Sequence, residues 1–167
     1  MTGRSRRPGL AVAAGERLLA WAIGDDGALV GGTRDALYVQ HPGEAAPARI
    51  PWETVQAADW DRDTGFLRVS EVGSWGQDRR EHDILLDDPR RLLQLVRERV
   101  TATVVLVRHA PVVGRRGVRV VARRAPGGDR HLTWVFEYDE GIEPDDPEVR
   151  LVASLTLEAA REEVGQG

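Results

Sequence analysis

The chain has 167 residues, a net charge of −4 and 41% hydrophobic content, which suits one soluble domain, or one domain with a substantial addition, and a core burying roughly 70% of the unfolded surface. It contains no cysteine and all 23 of its basic residues are arginine, so disulfides, thiolate metal sites, lysine Schiff bases and a P-loop lysine are excluded. No apolar run approaches the roughly 18–20 residues of a membrane span, the acidic balance does not advertise nucleic acid, and the Ala, Gly, Val and Arg usage points to a GC-rich genome rather than to a function.

At the N-terminus, Arg4-Ser5-Arg6-Arg7 ahead of Leu10-Ala11-Val12-Ala13-Ala14 has the outline of an export signal. Glu16 and Arg17 cut the apolar segment too short for one. Residues 1–14 are therefore read as a disordered tail and the protein as cytoplasmic. Residues 17–23 are expected to form a first strand that ends at the turn Gly24-Asp25-Asp26-Gly27. Residues 28–33 and 36–40 make a hairpin through Arg34-Asp35, and 41–47 is a Pro- and Gly-containing loop.

The stretch 49–60 reads as one strand carrying Trp52 and Trp60, returning through Asp61-Arg62-Asp63-Thr64-Gly65 into a strand at 65–69. Much of the buried aromatic area is expected here, with partial exposure of Trp52 left open. A polar loop around Trp75 leads to a strand at 81–86. Asp88 is placed as the N-cap and Pro89 as the first residue of a helix with Leu92, Leu93, Val96 and Val100 on its buried face. Three more strands follow at 103–108, 118–123 and 132–138, with turns at 114–117 and 126–129. Asp145-Asp146-Pro147 then opens a last helix whose apolar face is read as Leu151, Val152, Leu155 and Ala159. The two Asp-Asp-Pro sequences are taken as two solutions to one capping problem rather than as a repeat.

Gly15-Glu16-Arg17-Leu18-Leu19-Ala20, Gly32-Thr33-Arg34-Asp35-Ala36-Leu37-Tyr38-Val39 and Arg49-Ile50-Pro51-Trp52-Glu53-Thr54-Val55 resemble the opening of bacterial pleckstrin-homology-like (PH-like) domains. Those begin with "GE-x-hydrophobic", carry a "T-x-x-x-L-Y-V" hairpin and follow with "I-P-W/Y". The resemblance covers residues 15–102 and rests on strand hydrophobics and turn residues. It implies a mainly β fold, a bent antiparallel roll closed by the helix at Asp88, here extended by a βββα segment over 103–167. The whole chain also resembles proteins of high-GC (actinobacterial-type) bacteria, and that resemblance brings no activity with it. Phosphoinositide binding by eukaryotic PH domains needs a basic first hairpin loop, whereas Gly24-Asp25-Asp26-Gly27 is acidic.

Several motifs invite a chemical reading. Val104-Val105-Leu106-Val107-Arg108-His109-Ala110 resembles the "LVRHG" signature of histidine phosphatases, in which histidine attacks phosphorus and arginines hold its oxygens. Only His131 follows as a second histidine, beside a turn, so a strand-end histidine without a catalytic partner is the preferred reading. Asp59, Asp61 and Asp63 alternate as in a calcium loop, but Thr64 and Ser70 stand where an EF-hand needs glycine and glutamate. His41, His82, His109 and His131 lack zinc-ligand spacing. Gly31-Gly32 and Gly127-Gly128 lack the context of a phosphate cradle. The chain is therefore expected to be no enzyme and to hold no metal or cofactor.

Charge is segregated. Residues 108–130 hold seven arginines against one acid, Asp129, and residues 137–148 hold seven acids and no base. Arg115, Arg116, Arg119, Arg123 and Arg124 form a candidate anion patch, with Arg119 and Arg123 on one strand face and Val118, Val120 and Ala122 on the other. A solvated face pairing with the chain's own acids is the favoured alternative. Trp75 is a candidate partner anchor, with a plug over the core slightly preferred. The function that follows is a non-catalytic binding or scaffold module engaging an unidentified protein through a sheet edge or the Trp75 loop. The alternative is a nucleic-acid or anionic-ligand binder using the arginine strand face. The reading leaves room for a homodimer through a sheet edge or the last helix.

Overall fold

Pro51 ends one strand and begins a corner on which the first half of the chain turns. The computed structural model describes residues 6–73, 79–128 and 130–165. They form two compact units, one of residues up to 103 with 125–127, the other of 104–124 and the chain from 128 onward.

In the first unit, β1 (Ala20–Ile23), β2 (Leu29–Gly32), β3 (Ala36–Gln40) and β4 (Ala48–Pro51) form an antiparallel sheet in sequence order. A single 3-10 turn, Trp52–Thr54, separates β4 from β5 (Val55–Asp61), which pairs with β6 (Phe66–Glu71), itself paired with β7 (Glu81–Leu85). The expected single strand over 49–60 is thus two strands in two sheets. Pro51 has φ −56° and no N–H to donate, and the Thr54 hydroxyl folds back onto the Pro51 carbonyl at 2.8 Å. Trp52 is fully buried, in keeping with the buried aromatic area expected here and against the partial exposure left open for it.

Leu37, Val39, Ile50, Trp52, Leu67, Val69 and Ile84 from both sheets share one core with Leu92 and Val96 of α1 (Arg90–Ala102). The helix lies against β1, β2, β5 and the Trp52 turn. It does not begin as expected. Pro89 occupies the N-cap, no side chain caps it, and Asp88 has φ +38° with its carboxylate on Arg90 at 2.6 and 2.7 Å. Leu92 and Val96 are buried as expected, joined by Leu95, while Leu93 and Val100 pack partly buried at the edge of the core.

Strand β3 is buried on both faces because period-two alternation sends Leu37 and Val39 into the main core and Ala36 and Tyr38 into a second cluster with Leu10 and Leu18. That cluster corrects the expected tail over residues 6–14. Leu10 is 6% exposed and the Ala13 N–H donates to the Tyr38 hydroxyl at 3.0 Å. Leu10 and Val12 of this apolar segment pack with Leu18, Ala36 and Tyr38 on one side of the small sheet.

The second unit contains β8 (Val104–Val113), β9 (Arg116–Arg124), β10 (Leu132–Tyr138) and α2 (Pro147–Glu163). β9 is central, with β8 and β10 as antiparallel edges, and α2 packs on β8 and β9. Asp146 caps α2, accepting from the N–H groups of Glu148 at 2.8 Å and Val149 at 3.4 Å. The buried face of the helix is Val149, Ala153 and Ala160, not the expected one: Leu151 is 60% exposed and Leu155 56%. Against a small sheet whose inner residues are valine and alanine, the small side chains allow close approach and the leucines are turned aside.

Candidate functional site

The residues that carry the PH-like resemblance meet in one polar network. The Glu16 carboxylate accepts from the Thr33 hydroxyl at 2.7 Å, the Tyr38 hydroxyl at 2.8 Å and the Arg49 guanidinium at 2.9 and 2.5 Å. Burial pushes the Glu16 carboxyl upward, but the hydrogen bonds from Thr33, Arg49 and Tyr38 outweigh it and hold it below the usual carboxylate range. Burial raises the Tyr38 hydroxyl above its ordinary value, and the neighbouring carboxylate adds to the rise. The network ties the N-terminal segment to β3 and β4. Sequence reading missed it, although each of its residues stands within one of the quoted motifs.

Gly31 and Gly32 are packing slots. Cβ atoms there would stand 2.5 Å from Leu18 Cδ2 and Leu95 Cδ2 respectively. The Asp61 turn closes on itself, with the Asp61 carboxylate accepting from the N–H groups of Asp63 at 2.9 Å and Thr64 at 3.2 Å. A groove of about 860 Å3 runs between this turn and the start of α1, bordered by Trp60, Arg62, Asp63, Leu93 and Arg97. Its two charge signs are interleaved. Among the described residues, no group of three or more His, Asp or Glu is placed to hold a metal ion.

In the second unit, His109 stands opposite Arg119 across β8 and β9. Asp139 takes both: His109 Nε2 lies 3.0 Å from one carboxylate oxygen and Arg119 Nη2 3.1 Å from the other. The Gly117 N–H donates to Asp139 at 2.8 Å. That bond, then the one to His109, holds the Asp139 carboxyl below its usual range. Arg108, the neighbour of His109, is paired with Glu163 of α2.

Of the five arginines in the candidate anion patch, Arg119 also reaches Glu137 at 3.4 Å. Arg123 is 3% exposed and lies 3.8 Å from Glu137, with burial drawing its guanidinium below its ordinary value. Arg115, Arg116 and Arg124 are exposed, and Arg116 donates to the Glu140 carbonyl at 3.3 Å. The five are therefore not one surface: two are committed to β10 and its end, three face solvent. Trp75 lies outside the described residues.

Part of what the second unit leaves uncovered is apolar. β8 is an edge strand, and Val105, Val107 and Val113 on it are 43%, 42% and 55% exposed. Beside it a groove of about 330 Å3 runs between Arg108 and Ala110 of β8 and Leu155 and Ala159 of α2. The expected strand at 103–108 is ten residues long, and the added length prolongs this edge. The valine-rich runs at both ends mark β8 as a strand, but nothing in the sequence says that it lies at the edge of its sheet. Comparison with protein-family models finds no match, and comparison with curated proteins finds none.

Proposed function

We propose that this chain is a non-catalytic binding and scaffold module that engages protein through the β8 side of its second unit. The observation that carries the reading is the exposure of Val105 and Val107 on an edge strand, whose Arg108 and Ala110 border a groove with exposed Leu155 of α2. Backbone donors and acceptors on an open edge accept a further strand, and apolar side chains beside it reward burial. The chemistry-bearing groups support the same reading: His109 is turned to Asp139, and Arg108 to Glu163.

For the first unit we propose a PH-like roll. A four-stranded and a three-stranded antiparallel sheet around one core, followed directly by a helix, support it. We propose a cytoplasmic setting; among the described residues no helix is long and apolar enough to cross a membrane.

Affinity purification from the native host, comparing the wild-type chain with Val107→Arg, tests the binding reading. Loss of specific partners, or of the chain's own second copy, in the variant supports it; identical captured material rejects it. The competing reading, an anionic ligand on the exposed Arg115, Arg116 and Arg124, requires a gel shift that collapses with salt.

A further inference from the structure

Residues 6–18 belong to no helix or strand, yet Leu10 and Leu18 among them are each 6% exposed. They sit on the face of the four-stranded sheet that the main core does not use, with Ala36 and Tyr38 of β3 and with Val12, Trp21 and Leu29 packed against them. Gly31 of β2 makes the room. It does not have a positive φ, but a Cβ there would stand 2.5 Å from Leu18 Cδ2 and 2.9 Å from Leu10 Cδ2. The glycine serves space rather than conformation, and the face is shaped to what lies on it.

This segment is held differently from the sheet beneath it. Among the described residues, its backbone gives the sheet one hydrogen bond, from the Ala13 N–H to the Tyr38 hydroxyl at 3.0 Å, and the Glu16 N–H turns back to the Ala13 carbonyl. Strands β1 to β4 pair with one another without it. The main core around Leu37, Val39, Ile50 and Trp52 contains none of its side chains. Lifting the segment therefore breaks no rung of the sheet and takes nothing from that core.

One carboxylate fastens it. Glu16, its side chain 9% exposed, joins three places at once: Thr33 in the turn after β2, Tyr38 of β3 and Arg49 of β4. Just beyond, the Leu19 N–H bonds the Gly32 carbonyl at 2.8 Å, where the chain joins the sheet for good.

We propose that residues 6–18 are a releasable strap, latched by Glu16, that masks the outer face of the sheet and lifts from it while the strands and α1 stay folded. Holding this irregular stretch of backbone costs conformational entropy, against which stand two buried leucines and the bonds of Glu16. Release bares Ala36, Tyr38 and the flank of Trp21, an apolar surface that the latched chain keeps covered. The device lies within the first unit and stands apart from the β8 reading.

Hydrogen exchange of the full-length chain, followed residue by residue by NMR, tests it. The Ala13 N–H should exchange through an opening that denaturant hardly promotes, whereas the Val39 N–H of β3 should follow global unfolding. Ile84→Val, in the main core, should speed exchange at Val39 by about fivefold and leave Ala13 unchanged. Glu16→Gln should speed exchange at Ala13 by about tenfold or more. Leu10→Asp puts a charge under the strap: Ala13 should lose its protection while Val39 stays protected and the circular dichroism spectrum is retained. An Ala13 rate that rises with Val39 in Ile84→Val overturns the strap, as does a Leu10→Asp chain that unfolds. Indifference of Ala13 to Glu16→Gln would reduce the segment to a frayed end and overturn the latch.

Discussion

The indole Nε1 of Trp52 donates to the carbonyl oxygen of Thr33 at 3.1 Å, and both residues are fully buried. The bond joins the corner after β4 to the turn between β2 and β3. Trp52→Phe keeps most of the ring but leaves that carbonyl without its partner, costing about 1–3 kcal/mol. Trp52→Ala adds a cavity, for about 3–5 kcal/mol. Chemical unfolding at constant m-value checks both; equal midpoints for wild type and the Phe variant would show that the bond contributes nothing.

Glu16 makes stability depend on acid. Its carboxyl is held below its ordinary value in the folded chain, so the unfolded chain binds the proton more readily. The stabilisation is fully present above the ordinary carboxyl range near ~4.3 and is lost as pH falls through the lowered folded value. Glu16→Gln should therefore be less stable than wild type at neutral pH, by about 1–3 kcal/mol for bonds to a charged group. The gap should narrow in acid. A gap that is constant with pH would refute the role of the carboxylate charge.

Two glycines should respond differently to alanine. At Gly117 a Cβ would collide with the Ala110 carbonyl oxygen and stand 2.7 Å from Pro111 Cα, backbone atoms that move only if β8 parts from β9. At Gly32 it would meet Leu95 Cδ2 at 2.5 Å, the end of a side chain that can rotate, and the Trp52 ring at 3.2 Å. Thermal unfolding should show Gly117→Ala losing about 3 kcal/mol and Gly32→Ala about 1–2 kcal/mol. The reverse order would contradict the packing described for β8 and β9.

The two Asp-Pro helix starts are likewise unequal. Asp146→Ala removes the acceptor for two α2 N–H groups and should cost about 1 kcal/mol. Asp88→Gly removes no cap and relieves a positive φ. It should leave the unfolding midpoint unchanged or raise it; a fall as large as that of Asp146→Ala would give Asp88 a capping role after all.

Where most strands begin and end along the chain was readable because local chemistry decides it. Alternating apolar residues, Gly-Asp turns and an uninterrupted run at 132–138 leave few choices, and β10 falls on those residues. Capping was half readable: Asp-Asp-Pro opens both helices, yet only the second copy places its carboxylate over the N–H groups. The motif residues Glu16, Thr33, Tyr38 and Arg49 were visible one by one, but their meeting needs β3 and β4 side by side with the N-terminal segment laid across them.

The residues alone determined a mainly antiparallel chain with two helices, since periodicity and turn chemistry act over a few neighbours at a time. Tertiary structure decided which stripe of α2 is inside, because Val149, Ala153 and Ala160 and the set Leu151, Leu155 and Ala159 are both apolar by composition. It also decided that β8 lies at an edge, since strand order is set by contacts between residues far apart in the chain. Burial is shared between a residue and what lies across from it, and only the folded sheet specifies the second.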